Sequence, residues 1–200
     1  MKIIVCCFVY YFMPVLGFAM HHNLIDFTQP IEHHTLVSDA TERAAGKSHG
    51  AFDFQNGMNE KKHYFFAYLD PLPNGAGFVS VDIPIALDLT KHQSLCLVVK
   101  GLQKQPSIFQ FIIKNETSAQ AGFTYTKAFT VDDKQQMLRF DLRDFMASYR
   151  GEILPEKPPL DGSNIQSIGI RMVGRNGPSQ EILQQGLYGL ALYQLSICPS

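Results

Sequence analysis

At 200 residues the chain has room for one domain with a sizeable buried core. A formal charge of −1 offers neither nucleic acid nor an anionic membrane surface much to hold. Aromatic residues make up 12% without a single Trp, and with 15 Gly and 11 Pro the composition suits strands and turns, not a helical bundle.

The first 19 residues differ in kind from the rest. Lys2 is their only charge, residues 3–16 are almost continuously apolar, and Gly17-Phe-Ala19 sets small residues at −3 and −1 before Met20. This is the layout of a secretory signal peptide. The apolar core is short against the roughly 20 residues a spanning helix needs, with an uncleaved anchor as the alternative. The segment has no Arg, unlike a mitochondrial presequence. Its removal takes away Cys6 and Cys7 and leaves Cys96 and Cys198. In an oxidising compartment these two can form one disulfide; the alternative is a pair of free thiols.

Residues 20–36 read as a polar, solvated N-terminal arm carrying His21-His22 and His33-His34. Adjacent histidines diverge in either helix or strand, and no Cys or carboxylate stands nearby at ligand spacing, so no metal is expected. Residues 37–48 are polar, 51–54 suggest a short strand, and Asn56-Gly57 a turn. Two aromatic-rich runs, 64–69 and 78–81, flank Asp70-Pro-Leu-Pro-Asn-Gly-Ala-Gly77 and predict a strand–turn–strand hairpin, with Asn74-Gly75 supplying the tight reversal. Residues 83–88 lead into 94–100, where Leu95, Leu97 and Val99 share one face. Phe109, Phe111 and Ile113 alternate with Gln110, Ile112 and Lys114, and strands are expected around Phe123–Phe129 and 137–140. Asn115-Glu-Thr117 is an N-glycosylation acceptor in what reads as a polar turn, where a glycan at Asn115 would stay in solvent. Leu142, Phe145 and Tyr149 lie on one helical stripe, which predicts a single short helix over 141–149, ended by Arg150-Gly151. An extended loop at 151–164 and strands at 165–173 and 187–197 complete the chain. Eight to ten short strands separated by turns mean a sandwich of two antiparallel sheets.

Two motifs tempt towards catalysis and fail. Gly46-Lys-Ser-His-Gly50 fits G-x-S-x-G, yet the segment before it is polar, not a buried strand, and the later histidines, His49, His63 and His92, all come early in a β domain. Read as a phosphate loop, the same stretch has Thr41 where the first glycine belongs. No carboxylate pair or Cys/His set is spaced for chemistry, so no enzyme and no cofactor are expected.

A family resemblance then emerges from an ordered set of pieces. Ser38-Asp39 followed by Gly46-Lys47-Ser48, then Asn74-Gly-Ala-Gly-Phe78, resembles the complex I intermediate-associated protein 30 domain. Leu87-Asp-Leu89 before a Leu-x-Leu-x-Val strand ending at Gly101, then Phe145, Tyr149-Arg-Gly151, Leu160-Asp161 and Ile168-Gly-Ile170, continue the likeness. It implies a domain over residues 37–198, a galactose-binding-like jelly-roll sandwich, and a chaperone-like role on complex I assembly intermediates without an active site. The chain departs from mitochondrial members in its secretory leader and in Gly46-Lys47-Ser48, where they tend to a double glycine, and so resembles a secreted animal branch.

The leading expectation is a secreted, non-catalytic protein-binding or assembly protein that works through loops at one end of the sandwich, with Asp39, Arg43, Lys47, Asn74, Arg150 and Asp161 as polar contacts. A glycan-binding module is the second, with Tyr64, Tyr68, Tyr125 and Tyr188 as possible platforms. A mitochondrial complex I assembly factor is the third. No nucleic acid and no membrane span after leader removal are expected.

Overall fold

The structure, a computed structural model, describes residues 22–56, 60–73, 76–176 and 182–199. The leader, His21 and the Asn74-Gly75 turn lie outside the described residues. Among those described, no helix is long and apolar enough to cross a membrane.

In chain order the strands are β1 (Asn23–Asp26), β2 (Thr35–Ser38), β3 (His49–Asn56), β4 (Lys61–Leu69), β5 (Phe78–Leu87), β6 (Ser94–Gly101), β7 (Ser107–Asn115) and β8 (Thr124–Val131). They continue with β9 (Gln136–Asp141), β10 (Met146–Tyr149), β11 (Glu152–Ile153), β12 (Ile165–Val173), β13 (Arg175–Asn176), β14 (Ile182–Leu183) and β15 (Gly186–Ile197). Helix α1 (Asp39–Glu42) separates β2 from β3, α2 (Glu116–Ala121) separates β7 from β8, and a 3-10 turn, Leu142–Asp144, follows β9. The first sheet has the order β3-β4-β15-β6-β9, with β1 on the C-terminal half of β15, and the second runs β11-β10-β8-β7-β12-β5-β2. All these pairings are antiparallel. The expected two-sheet sandwich is what forms.

Period-2 alternation fills the space between the sheets. Phe65, Ala67 and Leu69 of β4, Leu95, Leu97 and Val99 of β6, and Leu190 and Leu192 of β15 face inward from the first sheet. Phe109, Phe111 and Ile113 of β7, Val79, Val81 and Ile83 of β5, and Ile168, Ile170 and Met172 of β12 meet them from the second. Aromatic edges fix the packing, with Phe111 edge-on to Phe140 at 5.1 Å and to Phe145 at 5.6 Å. Cys96 and Cys198 are bonded, their Cα atoms 5.1 Å apart, and tie the outer side of β6 to the chain's last described residues.

Three expectations change. The runs around residues 70–77 do not form a hairpin: β4 pairs with β3 and β15, and β5 with β12 and β2, so this segment arches from one sheet to the other. Alternation assigns each strand a buried face but not a partner. Pro84 is accommodated within β5 because β2 pairs only with Val79–Asp82, leaving the edge beyond it without a donor to satisfy. The helix expected over 141–149 is instead the 3-10 turn followed by β10, which pairs with β8. Phe145 and Ala147 are the inward residues there, a period of two that the Leu142, Phe145, Tyr149 spacing imitated at three to four. A short α-helix occurs elsewhere, as α2, whose first turn Asn115 caps. Finally, the arm at 20–36 belongs largely to the sandwich, since β1 pairs with β15 and Phe27 is in the core.

Candidate binding faces

The loop residues singled out from sequence are held at opposite ends of the sandwich. Strands β4, β7 and β12 put residues 69, 107 and 173 at one end, and β5 and β12 put residues 87 and 165 at the other. Asp39, Arg43 and Lys47 lie at the first end, Arg150 and Asp161 at the second. A strand of nine residues measures about 30 Å, so no single ligand is gripped by all of them. Asn74 falls outside the described residues.

At the first end the residues divide by role. Asp39 is fully buried, its Oδ1 accepting the Ser48 amide hydrogen at 3.0 Å. Ser48 Oγ accepts the Asp70 amide hydrogen at 3.1 Å, which joins the β2–β3 loop to the β4–β5 arch. This buried hydroxyl is already engaged and is no exposed nucleophile. Asp39 is therefore a loop fastener, not the exposed contact expected of it. Arg43 and Lys47 are exposed. His49 Nδ1 donates to the Lys47 carbonyl at 3.2 Å, and its ring lies 4.9 Å from that of Tyr68.

At the second end, Asn115 overturns its expected role. It is 3% exposed; its side-chain oxygen accepts the Ser118 amide hydrogen at 2.9 Å, and its Nδ2 donates to the Asp161 carbonyl at 3.0 Å. The nitrogen that would carry a glycan is thus enclosed and engaged, where an exposed turn was expected. The Asp161 carboxylate accepts from the Ser163 amide and hydroxyl, which hold its pKa below the ordinary carboxylate value. Arg150, at φ 51°, covers the Tyr149 ring at 5.1 Å.

The aromatic candidates separate cleanly. Tyr125 is a core residue whose hydroxyl donates to the Pro158 carbonyl at 3.1 Å, and Tyr188 lies on the inward face of β15. Tyr64 and Tyr68, with Phe66 between them, point outward from β4. Phe66 lies stacked on Tyr64, centroids 6.0 Å apart. Register places His49 and Leu187 on either side of Tyr68, and Gly189 beside Phe66. Leu102 leans over Gly189, where an added Cβ would lie 2.6 Å from its Cδ1. Tyr68, Leu102 and Leu187 are exposed, Leu187 by 64%. Together with Phe66 they make an apolar surface at the first end, with His49 between Tyr68 and Lys47. Met137 on β9, at the register of Val98, is a separate exposed apolar side chain, 59% exposed.

Further along the same face is a hollow of about 410 Å³ lined by Thr28, Gln29, Glu60, Lys61, Gln135 and Tyr193. The Tyr193 ring is already covered, with Lys62 Nζ 4.3 Å from its centroid, bonded to its hydroxyl at 2.8 Å and paired with Glu60. Burial opposes the Lys62 charge, but Glu60 and Tyr193 outweigh it and raise its pKa.

The outer face of the second sheet has a different character. Ser80, Ile112, Thr124, Thr126 and Ser148 point away from the core and are nevertheless buried, so the face is recessed. The Ser148 hydroxyl bonds both the Thr124 and the Thr126 hydroxyls, each at 3.3 Å. Among the described residues no group of three metal-ligating side chains occurs.

Sequence reasoning picked out Tyr64 and Tyr68 but missed Phe66, Leu102 and Leu187. The signal was present in β4, whose outward positions are as aromatic as its inward ones.

The family model described as Complex I intermediate-associated protein 30 (CIA30) matches residues 25–187. Among curated proteins none matches the sequence. A family 11 carbohydrate-binding module from Clostridium thermocellum, solved with a β-1,3-1,4-mixed-linked tetrasaccharide, is similar in structure at a TM-score of 0.62 and 13% identity, over 90% of this chain and 96% of that one. The family 11 module of the Clostridium thermocellum cellulosomal cellulase Lic26A-Cel5E gives 0.60 and 13%, over 90% and 95%. The agarase AgWH50C gives 0.56 and 14%, over 90% of this chain and 25% of the agarase. At such identities the likeness shows the fold, a galactose-binding-like jelly roll.

Proposed function

Because the chain belongs to the Complex I intermediate-associated protein 30 family, we propose that it is a non-catalytic binding protein of assembly type, which holds a protein partner against the outer face of its first sheet. The observation that carries this reading is the apolar surface of Phe66, Tyr68, Leu102 and Leu187, with Lys47 joined to its edge through His49. Aromatic and Leu side chains left in water on a sheet face, with a Lys at the margin, suit a protein partner with an apolar centre and acidic edge. The Cys96–Cys198 bond supports an oxidising compartment and, with the leader, a secreted protein. The family's role on respiratory complex I inside mitochondria is the alternative location and partner. The test is affinity capture from medium and from mitochondria with the full chain and with Tyr68→Asp plus Leu187→Asp. Loss of a specific partner in a variant that melts like the parent supports the reading; capture unchanged refutes it.

Glycan binding is the second reading, favoured by the recessed polar face of the second sheet and by the carbohydrate-binding modules that share the fold. A glycan array without signal would end it.

A further inference from the structure

We propose that the recessed outer face of the second sheet holds a carboxylate-bearing sugar, anchored by Arg171. This site lies on the side of the sandwich opposite the apolar face, so it stands or falls separately from protein docking; it does deepen the glycan reading.

Register lays the site out in two rows across the strands. Ser80, Arg171, Gln110 and Ala128 stand side by side on β5, β12, β7 and β8. Asp82, Gly169, Ile112, Thr126 and Met146 form the next row. Gly169 has no side chain in the middle of its row, and a Cβ there would stand 2.8 Å from Asp82 Oδ1. The gap lets Asp82 on β5 and Lys114 on β7 reach each other across β12 and form an ion pair. That pairing withdraws the nearest carboxylate from Arg171. Among the described residues the Arg171 Nε has no hydrogen-bond acceptor and is closed off from solvent. The Phe78 ring lies 5.9 Å from the guanidinium carbon. Burial pulls the Arg171 pKa down and Asp82 only partly offsets this.

An Arg Nε–H closed off from water without an acceptor is costly. A bidentate anion of matching shape removes that cost, and a carboxylate is such an anion. The surroundings favour a sugar as its carrier. Ser80, Thr126 and Ser148 offer hydroxyls on a recessed floor and Phe78 offers a ring, with Met146 the exposed apolar side chain at the rim. A slender polar chain fits a trough that a globular surface would not enter.

The experiment titrates the full chain with a trigalacturonate, with the same trisaccharide reduced at its carboxyls, and with a tetraglutamate peptide. Binding is followed by calorimetry and by the Arg171 Nε–H resonance. The expected result is saturable binding of the uronate, at least about tenfold weaker binding of the neutral trisaccharide and of Arg171→Gln, and a shifted Arg171 resonance. The resonance in the unaltered chain keeps the test valid if Arg171→Gln does not fold. No uronate binding, or an Arg171 resonance that stays put, overturns the site. Equal affinity for the neutral sugar overturns the anion, and equal affinity for the peptide overturns the sugar.

Discussion

The Asp39 carboxylate accepts the Ser48 amide hydrogen at 3.0 Å, with neither residue reaching solvent. Gly46 lies between them in sequence and against them in space, where a Cβ would stand 2.0 Å from the Asp39 carbonyl oxygen. The Ser-Asp and Gly-Lys-Ser pieces on which the family likeness rests are thus two halves of one clasp, and Ser48 Oγ extends it to the amide of Asp70. Asp39→Ala would leave the Ser48 amide hydrogen buried without an acceptor and is expected to cost about 1–3 kcal/mol. Gly46→Ala is expected to cost more, because backbone must move. Denaturant unfolding of both variants checks the order; equal stability of parent and Gly46→Ala would remove the clasp.

Asn115 spends its amide on the Asp161 carbonyl and its oxygen on the Ser118 amide. The chain made in animal cells is therefore expected to carry no glycan there, giving the same intact mass with and without N-glycan removal. Asn115→Ala should destabilise by about 2 kcal/mol through the lost cap and the stranded carbonyl.

His63 is buried with Nδ1 donating to the Phe27 carbonyl at 3.0 Å and Nε2 accepting the Ile31 amide hydrogen at 3.3 Å, which requires the neutral ring. Burial, helped by His34, lowers its pKa against the opposing Phe27 bond. The unfolded chain therefore takes up this proton first. Stability from neutral His63 is complete above the unfolded value of about 6.5 and is lost as the pH falls from there through the lower folded value. Unfolding free energy measured from pH 7.5 to 5 should drop in the parent and drop less in His63→Gln; parallel curves would contradict this.

Reducing the Cys96–Cys198 bond frees a loop closed over 102 residues. Chain entropy sets the expected loss at up to about 4.7 kcal/mol. The midpoint of denaturant unfolding, compared with and without reductant and with the Cys96→Ser, Cys198→Ser pair, reads it directly.

The sandwich was legible because its information is local: alternation in residues 64–69, 94–100, 109–114 and 165–173 marks strands with one buried face. Pairing was not, because Phe65 and Val81 look the same whether their strands are neighbours in one sheet or face each other across the core. Residues 141–149 misled for a related reason. Phe145 serves a helix and a strand equally well, and its contacts with Phe111 of the same sheet and Phe140 of the facing one decide. The polar residues were harder still. Asp39 and Asn115 have the composition of exposed loops, and their burial depends on an amide nine residues away and a carbonyl 46 residues away. Arg171 gave no sequence signal, since its isolation follows from Asp82 and Lys114 meeting over Gly169.

The central claim is that the outer face of the first sheet is the docking surface. A photoreactive amino acid placed at Leu187, in the full chain expressed in animal cells, tests it against the same group at Met146 on the other sheet and at Arg150 on the far end. The account predicts a discrete protein adduct from position 187 and none from 146 or 150. Adducts from 150 or 146 with none from 187 would contradict it.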